Sequence, residues 1–460
     1  MSKSDLTTQQ NTVINFIYEQ STLLIAQAGA GKTVVAQTTA QELIDDEILT
    51  RVIIFAPLKV CQLTWASEWR NWEHLREPTM ALGDANQRRD VVNEGPELVV
   101  MNIDNLAWFF REFGHDHGFD GLVIDECSKL KDPGGAAFKK LRHHLKDFEW
   151  RLPMSATPVH EAAVDIYTQI FIVDGGKVLG RNQEVFKRKY FTPTDYQQRH
   201  WEFMPTMEAK LTDAISEHVI VMDTEQYEAD LPHLEDVIVP VLLSPKEWET
   251  YNDMANTMLA EIEDTEIEAP NLAVMQGKLQ MICCGAMYSY EADGIKRNGD
   301  IRMKKNTHWV HKHKFDQLSE LVGRWQDPVI IVYQFEFELE MLKSMYTRAM
   351  VLGDDPVTVE ALWNAGKCDI LLMHPKSGGH GINLQMGGCR MIWMSPVWSA
   401  DLWDQCIRRI WRRGQASDSV WRYILMVENS VERLILDRHL DKMGESASFI
   451  DHLRERQHGA

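Results

Sequence analysis

Ala26–Gln27–Ala28–Gly29–Ala30–Gly31–Lys32–Thr33 follows a short apolar run, Leu23–Leu24–Ile25, and opens into a helix-compatible segment, Val34–Ile44. A strand, a glycine-rich turn and a helix, in that order, are what a phosphate-binding loop requires. The N–H groups of such a turn surround phosphate oxygens, and the helix start adds unpaired N–H groups and the positive end of its dipole. Lys32 would set its ammonium at the β- and γ-phosphates, and Thr33 would offer a hydroxyl to Mg²⁺. Ala26 stands where glycine is usual. A chance glycine-rich turn would not need both flanking elements. The stretch therefore reads as a nucleoside triphosphate site with Ala28, Gly29, Gly31, Lys32 and Thr33 as its contacts.

Outward from this loop, Arg51–Pro57, Glu97–Asn102, Phe119–Glu126 and Trp150–Pro158 read as buried strands separated by helical stretches. That alternation implies a parallel sheet with helices on both faces, a first lobe of residues 1–160. From 161 to 312 strand-type runs are scarce apart from Asp236–Leu243, and helical spacing dominates, as in Glu247–Ile262 and Ala273–Met287. Strands return at Asp327–Tyr333, Cys368–Met373 and Arg390–Met394, which marks a second α/β lobe of residues 313–460 with a closing helix after Ser430.

The 460 residues suffice for two or three domains, and 44% hydrophobic with 25% charged residues is the composition of an ordinary soluble protein. No apolar run approaches membrane-spanning length, and the polar start Met1–Asp5 has no signal-peptide core, so a cytoplasmic protein without membrane contact is expected. The seven cysteines are scattered without C-x-x-C spacing, and neighbouring Cys283–Cys284 suits no disulfide; reduced thiols and no zinc site are expected. A net charge of −20 excludes diffuse attraction of nucleic acid by the whole surface, leaving room for a local basic track.

Two carboxylates end the strand Phe119–Glu126. Asp125 would hold Mg²⁺, and Glu126 would orient and deprotonate an attacking water; a plain acidic strand end is the simpler alternative. Ser155–Ala156–Thr157–Pro158 suits a turn, and beside these carboxylates the hydroxyls of Ser155 and Thr157 would sense the γ-phosphate. In Gln405–Cys406–Ile407–Arg408–Arg409–Ile410–Trp411–Arg412–Arg413–Gly414–Gln415, a helix would bring Arg409 and Arg412 onto one face, suited to bidentate contact with γ-phosphate oxygens. A solvated basic helix, or one lying on nucleic-acid backbone, has the same composition.

In order, A-x-A-G-x-G-K-T, D-E-x-x, S-A-T-P, G-G-x-G-I-N-L (Gly378–Leu384) and Q-x-x-x-R-x-x-R-x-G-Q resemble the motifs of the superfamily 2 helicases. Ala56–Pro57–Leu58 with Trp65 and Glu68, Trp398 and Arg412–Gln415 make the chain similar, more narrowly, to Swi/Snf-type DNA translocases. The resemblance implies two RecA-like parallel-sheet lobes with helical insertions between them, so that 161–312 becomes helical protrusions and linker. It implies a nucleic-acid-dependent ATPase using ATP and Mg²⁺, with Gln10 of Leu6–Gln10 reading the adenine and Arg409 and Arg412 as paired arginine fingers. Gly381 and Gln405 would couple the lobes, and Pro57, Lys59, Asn102, Gly378, Gly379 and Asn383 would meet nucleic-acid backbone. DNA, duplex in preference to single-stranded, is the implied partner. A monomer of compact viral or bacterial type is expected, in a bacterial or virus-infected cell, with targeting left to a protein partner.

Cys127–Ser128 after the acidic pair, Ser399–Ala400 after Trp398, and Trp403 depart from the family's usual residues. The competing functions are an RNA helicase and a nucleotide-dependent protein-binding switch with little turnover. The basic run Arg302–Lys314 would either track a phosphate backbone or form a solvated loop, and Lys139–Lys146 reads as an exposed helix face.

Overall fold

The computed structural model describes all residues except 28, 157–162, 195–200, 223–230, 264–268, 296–300, 354, 379–381 and 441–460. Two compact units emerge, built on Met1–Asp230 and Leu231–Asp441.

In the first unit, apolar runs become β1 (Leu23–Ile25), β2 (Val52–Ala56), β3 (Thr79–Ala81), β4 (Leu98–Asn102), β5 (Gly121–Asp125) and β6 (Trp150–Ser155). A two-stranded ribbon, β7 (Phe191–Pro193) and β8 (Trp201–Phe203), stands apart, and β9 (Val219–Val221) completes a seven-stranded sheet in the order β3-β4-β2-β5-β6-β1-β9. All of the pairings in this sheet are parallel. The central strands are buried on both faces, which is why they read as continuous apolar runs rather than alternating ones. Their side chains still divide by parity. Ile53, Phe55, Leu122 and Ile124 pack with Phe109, Phe110 and Phe138, whereas Val52, Ile54, Val123 and Leu152 pack with Val13, Ile17, Val34 and Trp65.

The second unit contains β10 (His233–Val241), the antiparallel pair β11 (Ala286–Ile295) and β12 (Ile301–Trp309), then β13 (Val329–Val332), β14 (Met350–Val351), β15 (Ile370–Met373), β16 (Arg390–Trp393) and β17 (Ser419–Val427). Its six-stranded sheet, β10-β17-β16-β13-β15-β14, is also parallel throughout. Helices Pro245–Glu263 and Ala269–Cys284 lie where helical spacing was expected. The architecture is therefore α/β, with two parallel-sheet lobes and helical insertions. Among the described residues no helix is long and apolar enough to cross a membrane.

The stretch 161–312 differs from the expected helical linker. It supplies an edge strand to each sheet: β9 pairs with β1, and β10 pairs with β17 over nine residues. Asp236 faces Arg422 in that register, and its two carboxylate oxygens accept the Nε–H and Nη2–H of Arg422 at 2.7 and 2.5 Å. A bidentate pair of this kind fastens an otherwise half-polar edge strand. The basic run 302–314 likewise forms no single basic face. Lys314 is fully buried, donating from Nζ to Glu432 Oε1 at 2.5 Å and to the Met394 carbonyl at 2.6 Å, and Lys305 pairs with Glu336 at 2.7 Å.

Next to Lys314, His311 is buried and stacks on His313, ring centroids 4.7 Å apart, and His313 bonds Glu247. Burial, chiefly, lowers the His311 pKa from 6.5 to about 4; His313 and Lys314 add to the effect and Glu247 opposes it. Because the unfolded chain takes up this proton first, the stability the neutral ring lends is complete above pH 6.5 and lost as pH falls through about 4. The thermal midpoint is expected to drop across that window, and His311→Gln to make the drop shallower. An identical pH slope in the variant would contradict this.

Candidate active site

The loop after β1 leaves the sheet from Ala26, whose N–H donates to the Ser155 carbonyl at 3.0 Å, so it departs beside the end of β6. Gly29 and Gly31 both have left-handed φ, 89° and 90°, whereas Ala26 does not, and this is why alanine is accommodated there. Gly31 caps the helix Lys32–Asp45, and an added Cβ would run into Gln10 Nε2. Gly31→Ala is therefore expected to weaken nucleotide binding about tenfold or more, given ~1–3 kcal/mol of strain at such a position. Titration of a fluorescent ATP analogue reads it, and unchanged affinity would contradict it. Lys32 Nζ donates back to the Ala26 carbonyl at 2.7 Å. Ala28 lies outside the described residues.

Gln10 belongs to the helix Thr8–Glu19, where it closes a capping box: Thr7 N–H donates to Gln10 Oε1 at 2.9 Å, and Gln10 N–H to Thr7 Oγ1 at 3.1 Å. The box engages the amide oxygen and turns Nε2 toward Gly31.

Asp125 and Glu126 end β5, next but one to β1 in the sheet. Asp125 is buried, and Trp65 Nε1–H donates to its Oδ2 at 3.0 Å. Burial raises its pKa, Lys32 opposes, and Glu126 raises it further. A carboxylate in that setting gains from a cation placed against it. Glu126 adopts φ 61°, ψ 52°, a left-handed conformation costly for a residue with a Cβ, by on the order of 1–3 kcal/mol. Ser128 Oγ–H donates to its Oε1 at 3.1 Å. The serine that departs from the family pattern thus steadies the carboxylate beside it. With glycines that keep the turn clear of side chains, a lysine and a buried carboxylate, these residues fit Mg-ATP. Thr33 and Asp125 would hold the ion.

Gln10, Gly29, Gly31, Lys32, Thr33, Asp125, Glu126 and Ser155 thus gather at the C-terminal ends of β1, β6 and β5, the edge where open parallel sheets bind ligands. Pro57 and Asn102 follow on the same edge, at the ends of the paired strands β2 and β4, with Lys59 one turn on. Asn102 Oδ1 accepts the Asp104 N–H at 3.2 Å. Thr157 lies outside the described residues.

In the second unit the arginines are not on a helix. The helix Ala400–Ile407 carries Gln405, which is buried, and ends before Arg408. Arg408 turns back to bond Asp404 at 2.6 Å, and the Leu384 N–H donates to the Arg409 carbonyl at 3.0 Å, drawing the chain out of helical register. Arg409 and Arg412 still converge. Arg409 is buried, with Nη1–H donating to the Ile382 carbonyl at 3.2 Å, and Arg412 bonds the side chain of Asn383. Glu360 lies between these groups. Its Oε1 accepts the Asn383 N–H at 3.0 Å; burial raises its pKa, and Arg409 and Arg412 lower it. Gly378 ends the short helix Pro375–Gly378, and Gly379 and Gly381 lie outside the described residues.

In the sequence reading Trp65 serves only as a motif residue and Ser128 only as a departure from the family's usual residues, and Glu360 has no role. Ser128 could have been suspected from its place two residues beyond Glu126, whereas Trp65 and Glu360 meet their partners only through the fold.

Residues 7–166 match the DEAD/DEAH box helicase family. The chain is similar to Putative protein p41 of Acyrthosiphon pisum secondary endosymbiont phage 1, 28% identical over 94% of this chain and 95% of that protein. It is also similar to a DNA repair and recombination protein RAD54-like of Drosophila willistoni, 20% identical over 93% of this chain and 60% of that protein. The chain therefore spans less than two thirds of the Drosophila relative's length. Among solved structures it resembles the Sulfolobus solfataricus SWI2/SNF2 ATPase core in complex with dsDNA, with a TM-score of 0.43 and 18% identity over 94% of this chain and 90% of that one. The class defined by these matches and by the site is the nucleic-acid-dependent ATPases. Within it, the chain resembles the superfamily 2 helicases of the Swi/Snf-like kind.

Proposed function

We propose that the protein is an ATP-driven DNA translocase, hydrolysing ATP on its first unit and using the arginines of its second unit to complete the site during turnover. The observation that carries this reading is the pairing of Lys32 and Asp125 with a positioned Glu126 on one sheet edge, a full hydrolytic set rather than a binding set alone. Bound Mg²⁺ would supply charge neutralisation at the phosphates. The chain's own residues do the rest. Lys32 leaves the Ala26 carbonyl for phosphate oxygens, Glu126 takes the proton of the attacking water, and Arg409 and Arg412 meet charge developing on the γ-phosphoryl group.

Pro57, Lys59 and Asn102 in the first unit, and Gly378, Gly379 and Asn383 in the second, would meet the phosphate backbone, so that each ATP cycle steps the units along a strand. Duplex DNA is the proposed track, supported by the Swi/Snf-like motifs and by the DNA-repair relative. The protein would act as a monomer in the cytoplasm of a bacterium or an infected host, with a phage relative in support and targeting left to a protein partner. The test is the steady-state ATPase rate without polymer and with single-stranded DNA, duplex DNA and RNA, at two salt concentrations. Strong stimulation by duplex DNA, weakened by salt, is expected. Stimulation by RNA alone would move the protein to the RNA helicases, and flat slow turnover throughout would make it a switch.

A further inference from the structure

At the opposite end of β5 and β6 from Asp125 and Ser155, two connections meet in a cluster of imidazoles around one carboxylate. His115 and His117 lie between the helix Leu106–Phe113 and β5; His144 ends the helix Ala136–His144, and Asp147 follows it before β6. Asp147 Oδ2 lies 2.7 Å from His115 Nδ1 and 3.0 Å from His144 Nδ1, and the three ligand atoms all fall within 4.8 Å of one another. The run Lys139–Lys146 is therefore not wholly an exposed face, since His144 is buried.

We propose that His115, His144 and Asp147 form a binding site for a divalent transition-metal ion, with zinc the ion their donors suit best. Two imidazole nitrogens and a carboxylate oxygen are a common zinc set, leaving a fourth position for water. Zinc bonds of ~2.0–2.1 Å put tetrahedral ligands about 3.4 Å apart, so the two measured edges need only open by a fraction of an ångström. Ring rotation is already limited. His144 lies flat on Phe110, centroids 4.4 Å apart at 9°, and His117 stacks on Phe148 at 4.9 Å.

His117 is the second, independent pointer to a ligand. Its side chain is 1% exposed, and its Nδ1 accepts the Phe119 N–H at 3.1 Å, so the ring hydrogen resides on Nε2. That Nε2 has no hydrogen-bond partner and is aimed at Asp147 Oδ2, 3.8 Å away. A buried donor left just short of a carboxylate is the arrangement of a group that steadies a metal-bound carboxylate from behind. The ion would tie the starts of the two strands whose far ends carry Asp125 and Ser155, outside the nucleotide site and independent of it. The scattered cysteines play no part.

The test uses full-length protein without a polyhistidine tag, stripped with chelator and titrated with Zn²⁺ by calorimetry and with Co²⁺ by visible absorption. One ion per chain, d–d bands of a nitrogen- and oxygen-bound cobalt, and a zinc-dependent rise in thermal midpoint are expected. His115→Ala, at a half-exposed ring that the fold does not need, should abolish all three. Asp147→Asn should do the same, and His117→Phe should weaken binding by about 10–100-fold. No binding by the wild type, or binding that survives both His115→Ala and Asp147→Asn, would overturn the assignment. In that case the cluster is a hydrogen-bonded clamp only.

Discussion

Glu126→Gln is expected to lower kcat for ATP hydrolysis by about 10²–10⁴-fold, the usual worth of a positioned general base, while leaving ATP affinity nearly unchanged. The reason lies in the backbone as much as in the carboxylate. At φ 61° the chain turns sharply out of β5, and Ser128 holds one carboxylate oxygen, so the second oxygen is left to face a water. Glutamine keeps size, and its amide can still accept from Ser128, but it takes no proton at neutral pH. Single-turnover kinetics and nucleotide titration on the same preparation separate the two effects. A variant that hydrolyses ATP within a few fold of wild type would remove Glu126 from the chemistry. One that no longer binds ATP would assign it to binding instead.

Arg412→Ala is expected to reduce DNA-stimulated kcat by about 10³–10⁵-fold, the range for an arginine that meets charge on a transferring phosphoryl group. Arg412 is the better probe of the pair. Arg409 is buried against the Ile382 carbonyl, and its truncation would also disturb the second unit's core, whereas Arg412 reaches a half-exposed position on Asn383. ATP binding to the first unit should persist, because the phosphate loop, Asp125 and Glu126 all belong to that unit. Unchanged thermal stability, intact binding and lost turnover would together support the finger role. Turnover that survives the substitution would leave the cluster with Glu360 a structural device of the second unit.

Both sheets could be read from the sequence because strands buried on two faces are written as unbroken apolar runs, as in Val52–Ala56 and Val329–Val332. The glycine turn ahead of Lys32 was legible for a related reason: its geometry is local, with two glycines of left-handed φ within a few residues of Lys32. What escaped depends on distant partners. β9 is a short segment that becomes a strand only by pairing with β1, and β10, visible as the apolar run Asp236–Leu243, shows its place beside β17 only in the fold. β11 and β12 pair only with each other, and the basic, polar run of β12 read as a phosphate track or a solvated loop. The helix through Arg409 and Arg412 ends early because a tertiary hydrogen bond from Leu384 competes with it. The bond between Trp65 and Asp125 joins residues sixty positions apart, and no local pattern encodes that pairing.

ATP-driven movement along a duplex is most directly measured by displacement of a labelled third strand from a DNA triplex. The protein is expected to release the third strand in the presence of ATP and Mg²⁺, at a rate that rises with ATPase turnover, and to release none with Glu126→Gln. Brisk duplex-stimulated ATP hydrolysis with the third strand left in place would contradict translocation.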